Sequence, residues 1–271
     1  MDKSEDWNAV DATMEQYNTA RYYDYLLGGF HNFAVDRKVG DLVIKACPDI
    51  RLGALANRAF LRRAVKFLCQ AGMDQFLDIG SGIPTSGNVH EIAQGINPSA
   101  RVIYVDIDLV AVIHSQAILK DNPNAACLQA DIYDIEKILE TPAFTALMDI
   151  NRPIGVLMLS VLHFVKDDRE LARILGVLKD RLASGSYIVI SHYSLEGTPV
   201  ETIAQINRLA AGAGNPSVSR TCVETARLFD EFELVAPGVV SVPLWRPESS
   251  EDLLVDQPER SMAWAGVGRR P

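Results

Sequence analysis

A short apolar run, Phe76–Ile79, leads into a turn that holds two closely spaced glycines, Gly80 and Gly82. This pattern predicts a strand followed by a ligand-binding turn, because glycine takes positive φ and lets the backbone approach a ligand that a Cβ would strike. The dinucleotide-binding fingerprint requires a third glycine, and Thr85 stands in its place. That departure weakens the interpretation as a nicotinamide-dependent dehydrogenase, and an ordinary strand-to-helix turn is the structural alternative.

An acidic residue follows the second predicted strand, Ala100–Val105, which is apolar and β-branched. A carboxylate at this end of a strand can accept hydrogen bonds from both hydroxyls of a ribose, so Asp106 is the candidate ribose ligand, with Ile107 beside it. The structural alternative is a charge at a helix N-terminus, and Asp108 is better positioned than Asp106 for that role.

A second acidic residue follows the third predicted strand, Ala125–Leu128. The carboxylate of Asp131 could accept a hydrogen bond from the amino group of adenine while Ile132 packs on the ring. A turn or capping role before Tyr133 competes strongly with this interpretation. Dehydrogenases have no fixed need for this second acid, so it also favours a different cofactor class.

Titratable side chains follow the fourth and fifth predicted strands, Pro153–Ser160 and Tyr187–Ser191. In open α/β sheets, ligands bind outside the carboxyl ends of the strands, so the segment from Ser160 to Phe164 is expected to border the reactive end of the cofactor. The candidates for a general base, in order of preference, are His163, His192, Tyr193 and His31. A packed or helix-capping role is an equal alternative for His163.

About seventy residues precede the first predicted strand and include a segment dense in aromatic side chains, Ala20–Arg37. The pair Gly28 and Gly29 should end any helix that begins at Ala20, while Tyr22 and Tyr25 offer flat surfaces. Aromatic faces attract a methyl sulfonium cation, so we interpret the segment as a lid over the ligand. A helical subdomain packed by its aromatics is the alternative.

Composition indicates a globular chain. At 271 residues it can bury a full core, and 48% apolar with 23% charged residues is ordinary usage. The acidic N-terminus lacks the basic start and apolar core of a signal peptide, so a cytoplasmic protein without a membrane segment is expected. The net charge of −9 disfavours nonspecific binding to nucleic acid, and the spacing of the four cysteines predicts neither a metal site nor disulfides.

Charged residues at helical spacing, Arg58 to Lys66, alternate with apolar ones and predict a solvated helix face. Downstream, the sequence predicts helices over Asp168–Leu182 and Val200–Gly212, then a break at Gly214–Pro216. A capping box at Thr221 predicts a further helix that runs to about Phe232. A strand broken at Pro237-Gly238 and a last strand over Met262–Val267 complete the chain.

Taken together, these motifs resemble those of one known family. Ala20–Gly29 with Asn32–Arg37, Asn57–Arg63, Asp78–Thr85, Val161–Phe164 and Pro237–Val240 are similar to the actinobacterial S-adenosylmethionine (SAM)-dependent methyltransferases once classed as a domain of unknown function. The resemblance covers roughly residues 13 to 271, and its most specific part is Tyr23–Gly29. Ser81 stands where threonine is common in the turn, which is a conservative change.

The resemblance implies a class I SAM-methyltransferase Rossmann-like fold, an α/β fold whose seven-stranded, mostly parallel sheet has an antiparallel last strand. A helical N-terminal extension over residues 1–72 would precede a SAM-binding domain over residues 73–271. With the resemblance, the predicted cofactor-binding residues are Tyr22, Tyr25, Gly28, Gly29, Asp78, Gly80, Ser81, Gly82, Asp106, Ile107, Asp131, Ile132 and Ser160.

The function expected from these residues is in-line transfer of the sulfonium methyl group to a small-molecule acceptor, with SAM as cofactor and no metal. Positioning can supply much of the rate because the leaving group is already activated. Two alternatives remain: a SAM- or nucleoside-binding regulator without catalytic activity and, less favoured, a nicotinamide-dependent oxidoreductase.

Overall fold

Five parallel strands form the centre of the structure. A computed structural model describes residues 16–84, 87–212 and 217–271. The parallel strands are β1 (Gln75–Ile79), β2 (Arg101–Asp106), β3 (Ala125–Gln129), β4 (Gly155–Leu159) and β5 (Tyr187–Tyr193). Their order in the sheet is β3-β2-β1-β4-β5, so the chain reverses direction across the sheet between β1 and β4. A crevice is expected at that switch point, outside the carboxyl ends of the two strands.

The strands at the edge of the sheet beyond β5 are antiparallel to it or to each other. The last strand, β8 (Ala263–Arg269), pairs with β5, and two short strands, β6 (Glu233–Leu234) and β7 (Val240–Ser241), both pair with β8. The predicted strand broken at Pro237-Gly238 is therefore present as β6 and β7. Counted as one interrupted strand, they complete the predicted mostly parallel, seven-stranded sheet with an antiparallel last strand, which is confirmed.

Helices cover both faces of this sheet and extend the chain at its N-terminus. The α-helices are α1 (Thr19–Leu26), α2 (Ala34–Ala46), α3 (Ile50–Gln70), α4 (Val89–Ile96), α5 (Leu109–Leu119), α6 (Ile135–Ile138), α7 (Pro142–Leu147), α8 (Asp168–Arg181), α9 (Val200–Gly212) and α10 (Cys222–Arg227). Short 3₁₀ turns span Ile132–Asp134, Leu162–Phe164, Val242–Leu244 and Pro258–Ser261. Among the described residues, no helix combines the length and apolar character that a membrane span needs.

The core lies on both faces of the sheet because successive side chains of a strand point to opposite sides. On β1, Phe76 packs in one apolar cluster and Leu77 in the other. Helix α3 contributes Phe60 and Leu68 to the first cluster, and α8 contributes Ile174 to the second. All five residues of β1 are buried, as expected for a central parallel strand.

Helix α3 belongs to the predicted N-terminal extension, yet it packs in the same core as the sheet. The helix face that was predicted to be solvated is only partly exposed to solvent. Arg62 and Lys66 pair with Glu248 at the surface, but Arg63 is buried. Its guanidinium donates to the backbone oxygens of Trp245 and Val242, both at 2.9 Å. The prediction was wrong for Arg63 because spacing alone cannot show a carbonyl-lined position. The boundary at residue 72 stays a prediction.

The helix that begins after Thr221 is shorter than predicted. The capping box is present, since the Thr221 hydroxyl accepts from the Glu224 backbone, but α10 ends at Arg227 instead of Phe232. Beyond it the chain continues in tighter turns, which bury Phe229 and Phe232. Burial of these two rings against the sheet therefore outweighs continuation of the helix. Thr85 and the predicted break at Gly214–Pro216 lie outside the described residues.

A buried arginine ties the N-terminal helices to the sheet. The Arg21 guanidinium on α1 contacts Asp36 on α2 at 2.9 Å and Asp108 at 3.3 Å. Asp108 caps α5 by accepting from the Ala111 backbone at 2.9 Å, which is the capping role predicted for it. Asp36 also accepts from the backbone of Asn18 and of Phe33. Two consecutive N-terminal helices and the distant start of α5 thus share one buried charge network.

Candidate functional site

A cavity of about 450 Å³ lies at the carboxyl ends of the strands, under α1 and α3. Its walls include residues that follow β1, β2 and β3 on one side and residues that follow β4 and β5 on the other. Helices α2 and α9 and the start of β8 complete it. The volume falls within the range of ligand pockets, and the position is the switch point of the sheet.

The glycine turn after β1 forms part of the wall. Gly80 and Gly82 have φ angles of 71° and 67°, a region that favours glycine. A Cβ on Gly80 would stand 2.4 Å from the Val161 side chain, whereas a Cβ on Gly82 would meet no protein atom within 4 Å. Gly80 is thus required by close packing, and Gly82 leaves open space in front of the turn. Ser81 also lines the cavity, and its buried hydroxyl has no hydrogen-bond partner among the described residues.

Replacing Gly82 with valine is expected to weaken binding of S-adenosylhomocysteine (SAH) by about 30-fold or more, since the new side chain would fill the open space and strain the backbone. Isothermal calorimetry measures the effect. Gly87→Val is the matched control, because Gly87 has a φ of 76°, open space around its Cβ position and no place in the cavity wall. Equal losses of affinity in both variants would contradict a ligand-facing role for Gly82.

Asp106 lies where β2 ends and braces the glycine turn. Its carboxylate accepts from the Gly82 backbone at 2.7 Å and from the Asp108 backbone at 2.9 Å. Burial raises its pKa, and the charge of Asp108 adds to the effect, while the backbone donors oppose it. The side chain lines the cavity next to Ile107, which is 62% exposed. Each carboxylate oxygen keeps a lone pair for a further donor, such as a ribose hydroxyl.

Asp131 and Ile132 line the same end of the cavity. One carboxylate oxygen of Asp131 accepts from the Tyr133 backbone at 3.0 Å and starts the turn over Ile132–Asp134. The turn-capping role considered from the sequence is therefore present. It occupies one oxygen and leaves the other for a donor such as an adenine amino group.

Asp78, at the end of β1, is the most perturbed carboxyl of this wall. It is 5% exposed, and burial raises its pKa to about 7, with Arg58 lowering it and Asp106 raising it. Such a carboxyl gains most from a bound cation, which restores its ionised form. The two acids Asp78 and Asp106, the glycine turn and Asp131 together fit a ligand that carries both a nucleoside and a positive charge.

The titratable residues after β4 and β5 separate into two environments. His163 and Tyr193 line the cavity, with ring centres 6.0 Å apart. Burial first, and then the nearby His192 and Arg220, hold the pKa of His163 well below its usual range, so the ring is neutral near pH 7. Its buried Nδ1 has no hydrogen-bond partner in the part of the chain that the structure describes. Burial raises the pKa of Tyr193 above its ordinary value.

His192 lies outside the cavity wall, and both of its ring nitrogens are engaged. Nε2 faces a guanidinium nitrogen of Arg220 at 2.8 Å, and Nδ1 faces the backbone oxygen of Tyr193 at 2.8 Å. Because Arg220 can only donate, Nε2 accepts and Nδ1 carries the proton. Burial lowers the pKa of His192 to about 4. Arg220 also pairs with Asp168 at 2.7 Å, which fixes its position.

Only part of the aromatic N-terminal segment, Ala20–Arg37, contributes to the cavity wall. Tyr22 lines the cavity, whereas Tyr25 does not, and its hydroxyl donates to Asp41 at 2.6 Å. Gly28 and Gly29 follow the last turn of α1 and donate their backbone N–H groups to Tyr25 and Asp24, as in a helix C-terminal cap. His31 packs edge-on against His114, with ring centres 4.2 Å apart, outside the cavity wall.

Ser160 lines the cavity and adopts a φ of 54°, which is uncommon for a residue with a side chain. Its hydroxyl accepts from the Asn57 side-chain amide at 3.1 Å, and the same amide donates to the Tyr23 hydroxyl at 3.0 Å. The Asn57 oxygen accepts from Ser191 at 2.7 Å. These contacts join α1 and α3 to the ends of β4 and β5, and they hold Ser160 in its conformation.

The sequence predicted no binding or catalytic role for Asn57, Arg58 or Arg220, although Asn57 and Arg58 lie in the motif Asn57–Arg63 that carries part of the resemblance. Apart from that motif, Asn57 was visible only as an amide within an otherwise amphipathic helix, a weak signal. Arg58 lies within a charged helix face, yet it lines the cavity beside Asp78. Arg220 follows the segment 213–216, and nothing in the local pattern distinguishes it. Whether the predicted residues bind cofactor stays a prediction, as does a catalytic role for His163, His192 or Tyr193.

Comparisons with known proteins agree with this geometry. A family model described as S-adenosyl methyltransferase matches residues 5–271. A candidate methyltransferase of Thermobifida fusca is 39% identical over 95% of this chain and 97% of its own, with a TM-score of 0.88. A DUF574 family protein of Streptomyces avermitilis is 35% identical over 96% and 99%, with a TM-score of 0.89.

A more distant structure shares the fold. It is the geranyl diphosphate C-methyltransferase of Streptomyces coelicolor in complex with SAH, which is 15% identical over 77% of this chain and 76% of its own, with a TM-score of 0.50. At this identity the likeness supports the fold alone. No match is found among curated proteins.

Proposed function

The chain belongs to the S-adenosyl methyltransferase family, with SAM as its cofactor, and we propose that it transfers the SAM methyl group in line to a small molecule. A single cavity supports this proposal most directly. It is bordered by the acids and the glycine turn at the ends of β1 to β3, and also by His163 and Tyr193 after β4 and β5. One cavity thus offers one end for the methyl donor and another for the methyl acceptor, which we call its donor end (the donor half) and its acceptor end (the acceptor half).

At the donor end, the Gly80–Gly82 turn and Asp78 would hold the methionine part, with the Asp78 carboxylate binding its ammonium group. Asp106 would accept from the ribose hydroxyls, and Asp131 from the adenine amino group. The open space in front of Gly82 fits such a ligand, and so does the buried Ser81 hydroxyl, which has no hydrogen-bond partner among the described residues. When bound, the cofactor supplies a methyl group on a positively charged sulfur.

At the acceptor end, His163 would accept a proton from the nucleophile. Burial keeps its ring in the neutral, accepting form near pH 7, and the ring lines the cavity. His192 has no free acceptor nitrogen, since Nε2 already accepts a hydrogen bond from the Arg220 guanidinium. We therefore give His192 a supporting role, in which it packs edge-on against His163 with ring centres 5.9 Å apart. Tyr193 would orient the acceptor.

SAH release during incubation with SAM and a small-molecule extract tests the proposal, with the Gly82→Val protein as the inactive control. Turnover that depends on the extract supports a methyltransferase. Tight SAH binding without any turnover across extracts would instead favour the regulator that the sequence left open. A nicotinamide oxidoreductase is disfavoured by family membership, and failure of NADH to shift the unfolding temperature would agree.

The pH dependence of SAH binding should report on Asp78. Because its pKa in the free protein is about 7, a cation meets the ionised carboxylate above pH 7 and must displace a proton below it. The Kd is therefore expected to rise by about tenfold per pH unit below 7 and to be flat just above it. Calorimetry from pH 5.5 to pH 8 measures this slope, and Asp78→Asn should remove it.

The same carboxyl affects stability. Its folded pKa lies above the ordinary 3.8, so the stability associated with it is present below that value and is lost as pH rises through about 7. Asp78→Asn should then raise the free energy of unfolding at pH 8 by roughly 2 kcal/mol while weakening SAH binding. An unchanged pH slope together with unchanged stability would contradict the assignment.

We also propose a cellular location, a class of partner and an origin for the protein. A cytoplasmic location and a small-molecule partner fit the composition, and the organisms of the two similar proteins, Thermobifida and Streptomyces, fit an actinobacterial origin.

A further inference from the structure

We propose that the methyl acceptor is an uncharged aromatic molecule that carries a hydroxyl group. This inference rests on the proposed function and concerns the acceptor half of the cavity, which we define by Tyr17, residues of α1, α2 and α9, the end of β5 and the segment after β4. Its members used below are Tyr17, Tyr22, His163, Phe164, Tyr193 and Ile206.

Charge divides the cavity into two unlike halves. Among the described residues that line it, the arginine and acidic side chains are Arg58, Asp78, Asp106 and Asp131. The three acids lie at or just beyond the carboxyl ends of β1, β2 and β3, and Arg58 acts directly on the pKa of Asp78. All four therefore border the donor half. A carboxylate or ammonium group in the acceptor half would find no described partner of opposite charge, and an unpaired charge away from water is costly.

Aromatic side chains form much of the acceptor half. The rings of Tyr17 and Tyr22 have centres 5.9 Å apart, and those of His163 and Phe164 are 4.1 Å apart. The ring centres of Tyr193 and His163 are 6.0 Å apart. Rings at these separations offer faces and edges to a further flat ring, and such contacts add to the free energy of apolar burial. The walls therefore favour a planar aromatic ligand.

Phenol hydroxyls are among the polar groups of this half. Those of Tyr17, Tyr22 and Tyr193 form no hydrogen bond with the described residues, whereas the Tyr23 hydroxyl is engaged by Ala54 and Asn57. Burial raises the pKa of all three tyrosines, so their hydroxyls stay protonated near pH 7. A neutral hydroxyl can both donate to and accept from an oxygen on the ligand. An oxygen-bearing neutral molecule is the matching partner.

The chemistry balances for a hydroxyl acceptor. Methylation forms an oxygen–carbon bond, and the sulfur–carbon bond of the donor breaks with its electron pair passing to sulfur. The hydroxyl proton is released, and the neutral His163 ring can take it. The products are a methyl ether, SAH and one proton.

Binding of matched probes to the SAH-saturated protein tests the inference without turnover. The probes are 2-naphthol, 2-naphthoate and 2-naphthylmethylammonium, which share a ring system and differ in charge. By calorimetry, 2-naphthol should bind at least about 30-fold more tightly than either ion. Equal or tighter binding of an ion would overturn the inference, and so would failure of 2-naphthol to bind. Failure of SAH itself to bind would instead contradict the proposed function.

Two kinds of variant sharpen the test. Tyr193→Phe should weaken 2-naphthol binding about fivefold and leave SAH binding unchanged, because one neutral hydrogen bond is lost. Ile206→Lys should improve 2-naphthoate binding at least about tenfold, since Ile206 lines the acceptor half and a half-buried lysine can direct its charge inward. The control is Val200→Lys on the same helix, where the side chain is 76% exposed. Equal effects of both lysines would overturn the inference.

Discussion

Asp106→Ala is expected to weaken SAH binding at least about 100-fold, the largest loss of affinity for a single substitution in the donor half. Two ribose hydroxyls would lose one charged acceptor, and each charge-assisted hydrogen bond contributes roughly 1.5–3 kcal/mol. The alanine variant also releases the Gly82 backbone, which Asp106 holds at 2.7 Å. Calorimetry with SAH at pH 8 measures the loss.

Asp106→Asn is the matched control because its remaining oxygen can still accept from Gly82 while the charge is gone. It should bind SAH with an affinity between those of the natural protein and the alanine variant. A loss below about threefold in Asp106→Ala would mean that the carboxylate only braces the turn and the start of α5. Thermal unfolding of both variants shows whether the fold is retained.

Arg21→Ala should produce the largest loss of stability. The arginine is 1% exposed and contacts Asp36 at 2.9 Å and Asp108 at 3.3 Å. Removing it leaves two carboxylates buried without their cation, and breaking a buried pair in this way typically costs about 3–5 kcal/mol. The midpoint of thermal unfolding should fall by roughly 10 °C for a chain of this length.

Arg37→Ala is the control for Arg21. Arg37 is exposed and donates to the side chain and backbone of Asn32, so its loss should lower the free energy of unfolding by less than about 1 kcal/mol. If Arg21→Ala unfolds like Arg37→Ala, the buried charge network does not hold the N-terminal helices. A variant that loses SAH affinity with unchanged stability would indicate a lid role instead.

The sequence predicted correctly that acids at the ends of three strands lie close together, and the reason is physical. Parallel strands place their carboxyl ends at one edge, so the residues that follow them meet there whatever their separation in the chain. Asp78, Asp106 and Asp131 lie at or just beyond the ends of three such strands, and all line one cavity. Their proximity needs no knowledge of side-chain packing, because the topology alone produces it.

Residues placed by packing were harder to predict. Strand alternation sends neighbouring side chains to opposite faces, so Tyr193 lines the cavity while the adjacent His192 faces Arg220. From the sequence, both residues are candidates for the same role, that of a general base. Asn57 and Arg63 lie in the middle of a helix, and their partners are residues of distant segments. No local pattern shows such partners.

The Tyr25–Gly29 segment shows the same limit. Its glycines were expected to end the helix within a segment interpreted as a lid over the ligand, and in the structure they follow the last turn of α1. A Cβ on Gly29 would lie 2.0 Å from the Asp24 carboxylate, which itself accepts from Asn32 at 2.8 Å. Close packing against a buried acid is therefore enough to require glycine there. Gly29 is thus explained by its packing against the Asp24 carboxylate, which is held by Asn32.

The contacts of Asn57 have a consequence for how the protein is synthesised. Its partner Ser191 is 134 residues further along the chain, and the start of β8, which lines the cavity, is added later still. A growing chain can fold its early helices and strands while the ligand pocket is still incomplete. Under the proposed function, the three acids of the donor half are present once Asp131 has been synthesised, but the cavity wall formed by the start of β8 is added only when nearly all of the chain has left the ribosome.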